Sequence, residues 1–295
     1  MERRSSGMVL LNKPTGVTSF EALWNIKHAL NEKRIGHTGT LDRFASGLLP
    51  VLIGSLTRIT PLVSEMDKIY TASILFGEET DTLDPEGRVI ASGPVPSIDE
   101  ILSHIPEFVG TISQVPPQYS AVHVEGKRAY ERARSGEVAN IKPRNVRISS
   151  IDVMAYEPPA LSVTVRCSRG TYIRSLARDL GRACGSCAHL TALTRTEVGP
   201  FSLARAIRPE EFDPAMDILS PLACFTLLPQ VEIAVVKDEW ENAVLHGVQP
   251  RRDSFIQYTG ERPFCALMSS RGRFLGLAER RGENLSYCFV AEREQ

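Results

Sequence analysis

The run Gly36-His37-Thr38-Gly39-Thr40-Leu41-Asp42-Arg43-Phe44-Ala45-Ser46-Gly47-Leu48-Leu49-Pro50 sets a carboxylate and an imidazole among three glycines. Glycine reaches backbone conformations that a Cβ forbids, so such a loop can approach a ligand closely while presenting His37 and Asp42 to it. A carboxylate with an ordinary pKa of about 3.9 is ionised at neutral pH and can bond covalently to an electrophilic carbon, so the chemistry open to Asp42 is nucleophilic. Spacing alone leaves a second reading open, in which Asp42 caps a helix beginning at Phe44 to Leu49.

The surrounding pattern alternates short β-branched runs with amphipathic ones. Met8 to Leu11, Ala72 to Phe76, Val146 to Met154 and Leu161 to Cys167 read as strands bounded by turn residues. Ser19 to Leu30 reads as a helix with Ser19 as N-cap and Glu21 in its first turn. Tyr172 to Cys184 reads as another, with Ile173, Leu176, Ala177 and Leu180 on one face and Arg174 near its start, after the Gly170 turn. Asp81 to Gly87 reads as a solvated turn, without the ligand pattern of an EF-hand. Past a boundary between about Pro221 and Pro229, short strands at Phe264 to Met268, Phe274 to Ala278 and Tyr287 to Val290 predict a small β-rich domain.

At 295 residues and 42% hydrophobic content, the chain can bury a large core and has room for two domains. No run approaches a membrane span, and Met1 to Ser5 lead into Lys13-Pro14 rather than an apolar signal core, which predicts a cytoplasmic protein. Six scattered cysteines predict reduced thiols, and Cys184-Gly185-Ser186-Cys187 with His189 falls one ligand short of a structural zinc site. The net charge of −1 conceals asymmetry. Lys127, Arg128, Arg132, Arg134, Lys142, Arg144 and Arg147 outweigh Glu125, Glu131 and Glu137, and a second arginine-rich segment runs from 166 to 205. Residues 78 to 107 are acidic. Such patches fit a polyanion held on one face and repelled from another, and equally fit a solvated surface of helical ion pairs.

The Asp42 segment resembles the Gly-His-(Thr/Gly)-Gly-x-Leu-Asp motif of bacterial tRNA pseudouridine synthases of the TruB type. The resemblance begins at Val9 to Ser19, with Lys13-Pro14-Thr15-Gly16, and continues through Asp67-Lys68-Ile69-Tyr70. It runs on through Gln114 to Ala121, Gly126 to Tyr130, and Cys167 to Leu176 with Asp179-Leu180-Gly181. Five motifs in order are specific where any one alone is weak.

That resemblance implies an α+β fold: a pseudouridine synthase-like catalytic domain around a largely antiparallel mixed sheet, spanning residues 1–225. It carries a basic RNA-binding insertion at about 124–147, and residues 228–295 form a PUA-like RNA-binding domain. It implies isomerisation of uridine 55 in the tRNA T-loop by base flipping, without cofactor or metal, by a monomer needing no protein or guide-RNA partner. Asp42 is then the catalytic carboxylate, Arg174 its guanidinium partner and Tyr70 the ring that stacks on the base and transfers a proton. His37 fills the space the base vacates, Tyr172 and Leu193 line the pocket, and Lys13 supports it. A tRNA-binding factor that remodels the tRNA elbow is the competing function. This chain departs from the family at Arg43, where relatives carry proline, which leaves the rigidity of the Asp42 loop to other contacts.

Overall fold

A computed structural model describes residues 6–120, 122–124 and 126–291. Met1 to Ser5, Ala121 and Glu125, which enter the sequence reading, lie outside the described residues, as do residues 292–295 at the end of the expected second domain.

Strand β1 (Gly7–Lys13) is followed by a helical turn and the short helix α1 (Trp24–Leu30). The expected Ser19 cap is replaced by Thr18, whose hydroxyl accepts the Glu21 N–H at 3.2 Å while the Glu21 carboxylate accepts the Thr18 N–H at 2.7 Å. Ser19 is thereby free to turn inward, where its hydroxyl bonds both backbone groups of Leu41. Strand β2 (Ile35–His37) ends at the Asp42 loop, and Ser46 opens β3 (Ser46–Ile53), so the helix considered for Phe44 to Leu49 is a strand instead. Nearly every residue of β3 is buried, as expected of a central strand covered on both faces.

Helix α2 (Thr60–Ser64) leads to β4 (Lys68–Phe76), then to the hairpin of β5 (Glu78–Thr80) and β6 (Val89–Ser92). Helix α3 (Ile98–His104) precedes β7 (Gly110–Gln114), and the basic segment holds a small hairpin, β8 (His123–Val124) and β9 (Lys127–Arg128), and α4 (Ala129–Arg134). The long pair β10 (Arg144–Glu157) and β11 (Ala160–Cys167) is followed by α5 (Ile173–Ala183), β12 (Ala188–Val198) and β13 (Phe201–Ser202). The face of α5 anticipated from its spacing is the buried one.

The main sheet runs β1-β3-β12-β4-β11-β10-β7, with β2 added to β3 and β13 to β12. Every pair is antiparallel except β12 with β3, so the sheet is mixed and largely antiparallel. One edge of β3 is taken along its whole length by β1, and the other is divided, β12 pairing with Ser46 and Gly47 and β2 with Val51 to Ile53. The loop from Thr38 to Ala45 emerges at that division, beside the sheet centre.

Helix α6 (Pro221–Leu227) leads to a second, five-stranded sheet. It comprises β14 (Val231–Val236), β15 (Phe255–Gln257), β16 (Phe264–Ser269), β17 (Phe274–Arg281) and β18 (Asn284–Val290), with α7 (Asp238–Leu245) after β14. The two sheets share one apolar core, in which Met8, Leu48 and Leu52 meet Phe225, Val231, Met268 and Phe274. No helix among the described residues is long and apolar enough to cross a membrane.

Candidate active site

The Asp42 loop is held at both shoulders. Leu41, Phe44 and Ala45 are buried in the core beneath β4, β11, β12 and α5, which leaves Asp42 and Arg43 as the outward step between anchors. Ser19 grips the Leu41 backbone, Gly16 N–H donates to the Arg43 carbonyl at 2.8 Å, and the Arg195 guanidinium donates to the Gly39 carbonyl at 3.0 Å. These contacts replace the constraint that a proline after Asp42 would supply. Of the three glycines, only Gly47 has positive φ, at +104°. A Cβ there would lie 2.4 Å from the Arg195 carbonyl oxygen, so glycine is required by backbone conformation and by the close approach of β12.

Arg174 comes from the first turn of α5. Its position is set by Gln114 of β7, whose side-chain amide bonds both the N–H and the carbonyl of Tyr172, and by the Ser175 hydroxyl donating to Val115 O. Arg174 Nε lies 2.9 Å from Asp42 Oδ2, an ion pair in which the N–H is not aligned on the oxygen. Its Nη1 donates to Asp84 Oδ2 at 3.1 Å and Thr82 O at 2.8 Å, and its Nη2 to Tyr119 O at 2.9 Å. Asp84 belongs to the site although the sequence reading left it out: the Asp81 to Gly87 turn was expected in solvent, yet Asp84 is buried against Arg174. Burial is affordable because its carboxylate is satisfied on both sides, Oδ1 by the Thr82 hydroxyl and the Glu86 N–H, Oδ2 by Arg174.

Asp42 opens onto a cavity of about 340 Å³, lined among others by Lys68, Tyr70, Ser120, Arg144, Tyr172 and Leu193. Such a volume holds a small ligand or a single extruded nucleotide. Enclosure raises the Asp42 carboxyl above its ordinary value, Arg174 pulls it back, and the Asp84 charge adds to the rise. Tyr70 and Leu193 face the same side of the β4–β12 ladder, where Leu193 pairs with Ala72 and Arg195 with Tyr70. Burial likewise raises the Tyr70 phenol, while Arg195 lowers it. The Arg144 guanidinium stands 4.6 Å from the Tyr172 ring centroid and donates to Gly170 O, fixing the aromatic wall.

Two of the expected residues stand outside the cavity lining. Lys13 is buried behind the loop, where Nζ donates to Pro14 O at 2.9 Å, Val17 O at 2.7 Å and Arg43 O at 3.5 Å. Burial lowers it to about 8, against the opposing pull of Asp42. His37 is half-buried on β2, adjacent to the cavity-lining Thr38, with no hydrogen-bond partner for Nδ1. Burial, assisted by Arg195 and Lys27, lowers its pKa and favours the neutral ring. Among the described residues, no three His, Cys, Asp or Glu side chains cluster as a metal-ligand set.

Two family models meet without a gap across residues 27–220, which hold His37, Asp42, Tyr70, Asp84, Arg174 and Arg195. The N-terminal domain model of the TruB family pseudouridylate synthases matches residues 27–173, and the tRNA pseudouridylate synthase B C-terminal domain model matches 174–220. The chain belongs to the TruB family of pseudouridylate synthases. It is 45% identical over 201 residues to the tRNA pseudouridine synthase B of Borreliella burgdorferi strain ZS7, covering 67% of this chain and 71% of the relative. The Bordetella pertussis (strain Tohama I) enzyme of the same name is 44% identical over 230 residues, 76% of this chain and 93% of that one. The Thiobacillus denitrificans one is 41% identical over 280 residues, covering 92% and 91%. A solved structure titled as a Cbf5-Nop10-Gar1 complex is similar over 98% of this chain and 85% of its own, with a TM-score of 0.71 and 26% identity. The second TruB-family model begins at Arg174 and covers α5 and β12, so both models end within or just after the main sheet, short of the five-stranded one.

Proposed function

We propose that this chain converts uridine 55 of the tRNA T-loop to pseudouridine, with Asp42 as nucleophile and without a cofactor. The observation that carries the reading is the Asp42–Arg174 ion pair at the floor of a cavity of nucleotide size, in a chain of this family. A T-loop uridine is stacked within folded RNA, so it is first extruded into the cavity, at a cost repaid by contacts to the flipped base. Tyr70, Tyr172 and Leu193 receive it, and His37, just outside, is placed to occupy the gap in the loop.

The uracil then leaves ribose C1′ through N1, turns, and rejoins it through C5. Asp42 supplies the attacking oxygen, whose bond to carbon is broken again before pseudouridine is released, and Arg174 keeps the carboxylate ionised and oriented by charge and by its anchorage to Asp84. Tyr70, acting as its phenolate, takes up the proton that C5 loses, and N1, freed from the sugar, gains a proton in return. No electrons are gained or lost, so the chemistry calls for no redox group, and the carboxylate supplies the nucleophile that a metal-bound water would otherwise provide. Basic side chains of the segment at about 124–147 contact RNA phosphate, the five-stranded sheet acts as a PUA-like RNA-binding unit, and a cytoplasmic monomer suffices.

The test is direct mapping of pseudouridine in unmodified tRNA incubated with the protein. Modification at position 55 alone, lost in Asp42→Asn while tRNA affinity stays within about tenfold, supports the reading. Modification elsewhere, or wild-type turnover by Asp42→Asn, overturns it.

A further inference from the structure

Arg195 is among the largest fully buried side chains of the protein, at 2% exposure, and lines the cavity beside Asp42 and Tyr70. Its Nε donates to Leu48 O at 2.8 Å and its Nη2 to Gly39 O at 3.0 Å. Among the described residues it forms no ion pair. Burying a cation without a carboxylate is costly, and two carbonyl oxygens do not by themselves require one, since a neutral donor would satisfy them. The charge therefore calls for another account.

The sheet supplies it. Arg195 and Tyr70 are direct partners in the β12–β4 ladder, so their side chains leave the sheet together on the cavity side. Nε and Nη2 are committed to carbonyls, which leaves Nη1 as the corner of the guanidinium available to the neighbouring Tyr70. We propose that Arg195 is a positioning residue for Tyr70: one rigid fork joins the Tyr70 hydroxyl to the Gly39 end of the Asp42 loop and to β3. The geometry suits arginine alone, because a lysine is a point donor that cannot span three acceptors on different elements.

The electrostatics agree. Burial raises the Tyr70 phenol, and the Arg195 charge opposes that rise; Cys167 from β11 and Asp42 from the loop push the other way. Lys68, on the same strand two residues away, is itself pushed down to about 8, first by burial and then by Arg195. Arg195 is thus the cation placed to favour the phenolate, the form of Tyr70 that can take up a proton.

This inference rests on the proton-transfer role of Tyr70, and its test separates the two. Difluorotyrosine, whose phenol is more acidic, is placed at position 70 and titrated by fluorine NMR in the RNA-free protein. Arg195→Gln is expected to raise the Tyr70 midpoint by about one pH unit or more, because a cation in contact has been removed. Arg195→Lys should raise it by less. Single-turnover rate at saturating tRNA should fall in the same order, by about tenfold or more for glutamine, with tRNA affinity within about threefold. A midpoint unmoved in either folded variant overturns the proposal, and if Arg195→Gln does not fold, Arg195→Lys decides on the same criterion. A shifted midpoint with no change in rate would leave the coupling standing and reject proton transfer by Tyr70 instead.

Discussion

Arg174 and Asp42 meet at 2.9 Å, and the same guanidinium reaches a second carboxylate, Asp84, at 3.1 Å. One cation between two carboxylates fixes the sign of the pH response. Enclosure and the Asp84 charge both raise the Asp42 carboxyl, so its protonation, which would remove the proposed nucleophile, sets in at higher pH than for an ordinary carboxylate. The single-turnover rate should fall as pH drops through that raised value. Asp84→Asn deletes the repulsion, so the acid limb should move to lower pH, while the plateau rate falls because Arg174 loses an anchor. A rate profile whose acid limb stays in place in Asp84→Asn would show that the two carboxylates are not coupled through Arg174.

Tyr70→Phe keeps the aromatic face that lines the cavity and removes only the hydroxyl. Single-turnover rate at saturating tRNA should fall by about 100-fold or more, the usual range for loss of a positioned proton-transfer group, with little change in affinity. Turnover near wild type would assign the proton to another group.

The legible and the illegible parts of this site differ in how far apart their residues lie in the chain. Asp42, Arg174 and Tyr70 stood in local motifs, and the buried face of α5 followed from spacing alone. Asp84 was unreadable because Asp81 to Gly87 has the composition of a solvated turn. What buries it is the docking of the β5–β6 hairpin onto an arginine 90 residues later. Arg195 looked like one more charge in a basic segment; only the pairing of β12 with β4 and β3 places it beneath the loop. Ser19 has the residue type of a cap, and nothing local told that Thr18 would take that role.

Gly47→Ala should destabilise the protein by about 2 kcal/mol or more, through positive φ and a Cβ set against the Arg195 backbone. Gly36→Ala, with nothing within 4 Å of a new Cβ and no positive φ, should cost far less. Thermal or urea unfolding of the two variants checks this; equal losses would contradict the close approach of β12 to β3.

Ending the chain after residue 228 should cost stability before it reports on RNA binding. The cut removes Val231, Met268, Phe274 and Phe289 from a core they share with Met8, Leu48, Leu52 and Phe225, exposing that apolar surface. The truncated chain is expected to melt at lower temperature and to bind hydrophobic dyes. A fragment as stable as the whole would show that the shared core contributes little to the main sheet.

Arg43 follows Asp42, the proposed nucleophile, and its exposed side chain stands on the outward step of the loop. In the proposed reaction an RNA strand delivers a nucleotide to Asp42 past that step, where the guanidinium would meet a phosphate. Arg43→Ala should weaken tRNA binding and reduce the magnitude of the log-log salt slope by about one, with saturated single-turnover chemistry intact. Arg43→Pro should do the same, because the loop is held by other groups: Gly16 and Lys13 at the Arg43 carbonyl, Ser19 at Leu41, Arg195 at Gly39. The Arg43 N–H, which proline would remove, donates to no acceptor among the described residues. An unchanged salt slope in both variants would reject the phosphate contact. Loss of saturated turnover in Arg43→Pro alone would show that this loop holds a φ at position 43 that proline cannot adopt, and that its non-proline residue shapes the nucleophile's approach.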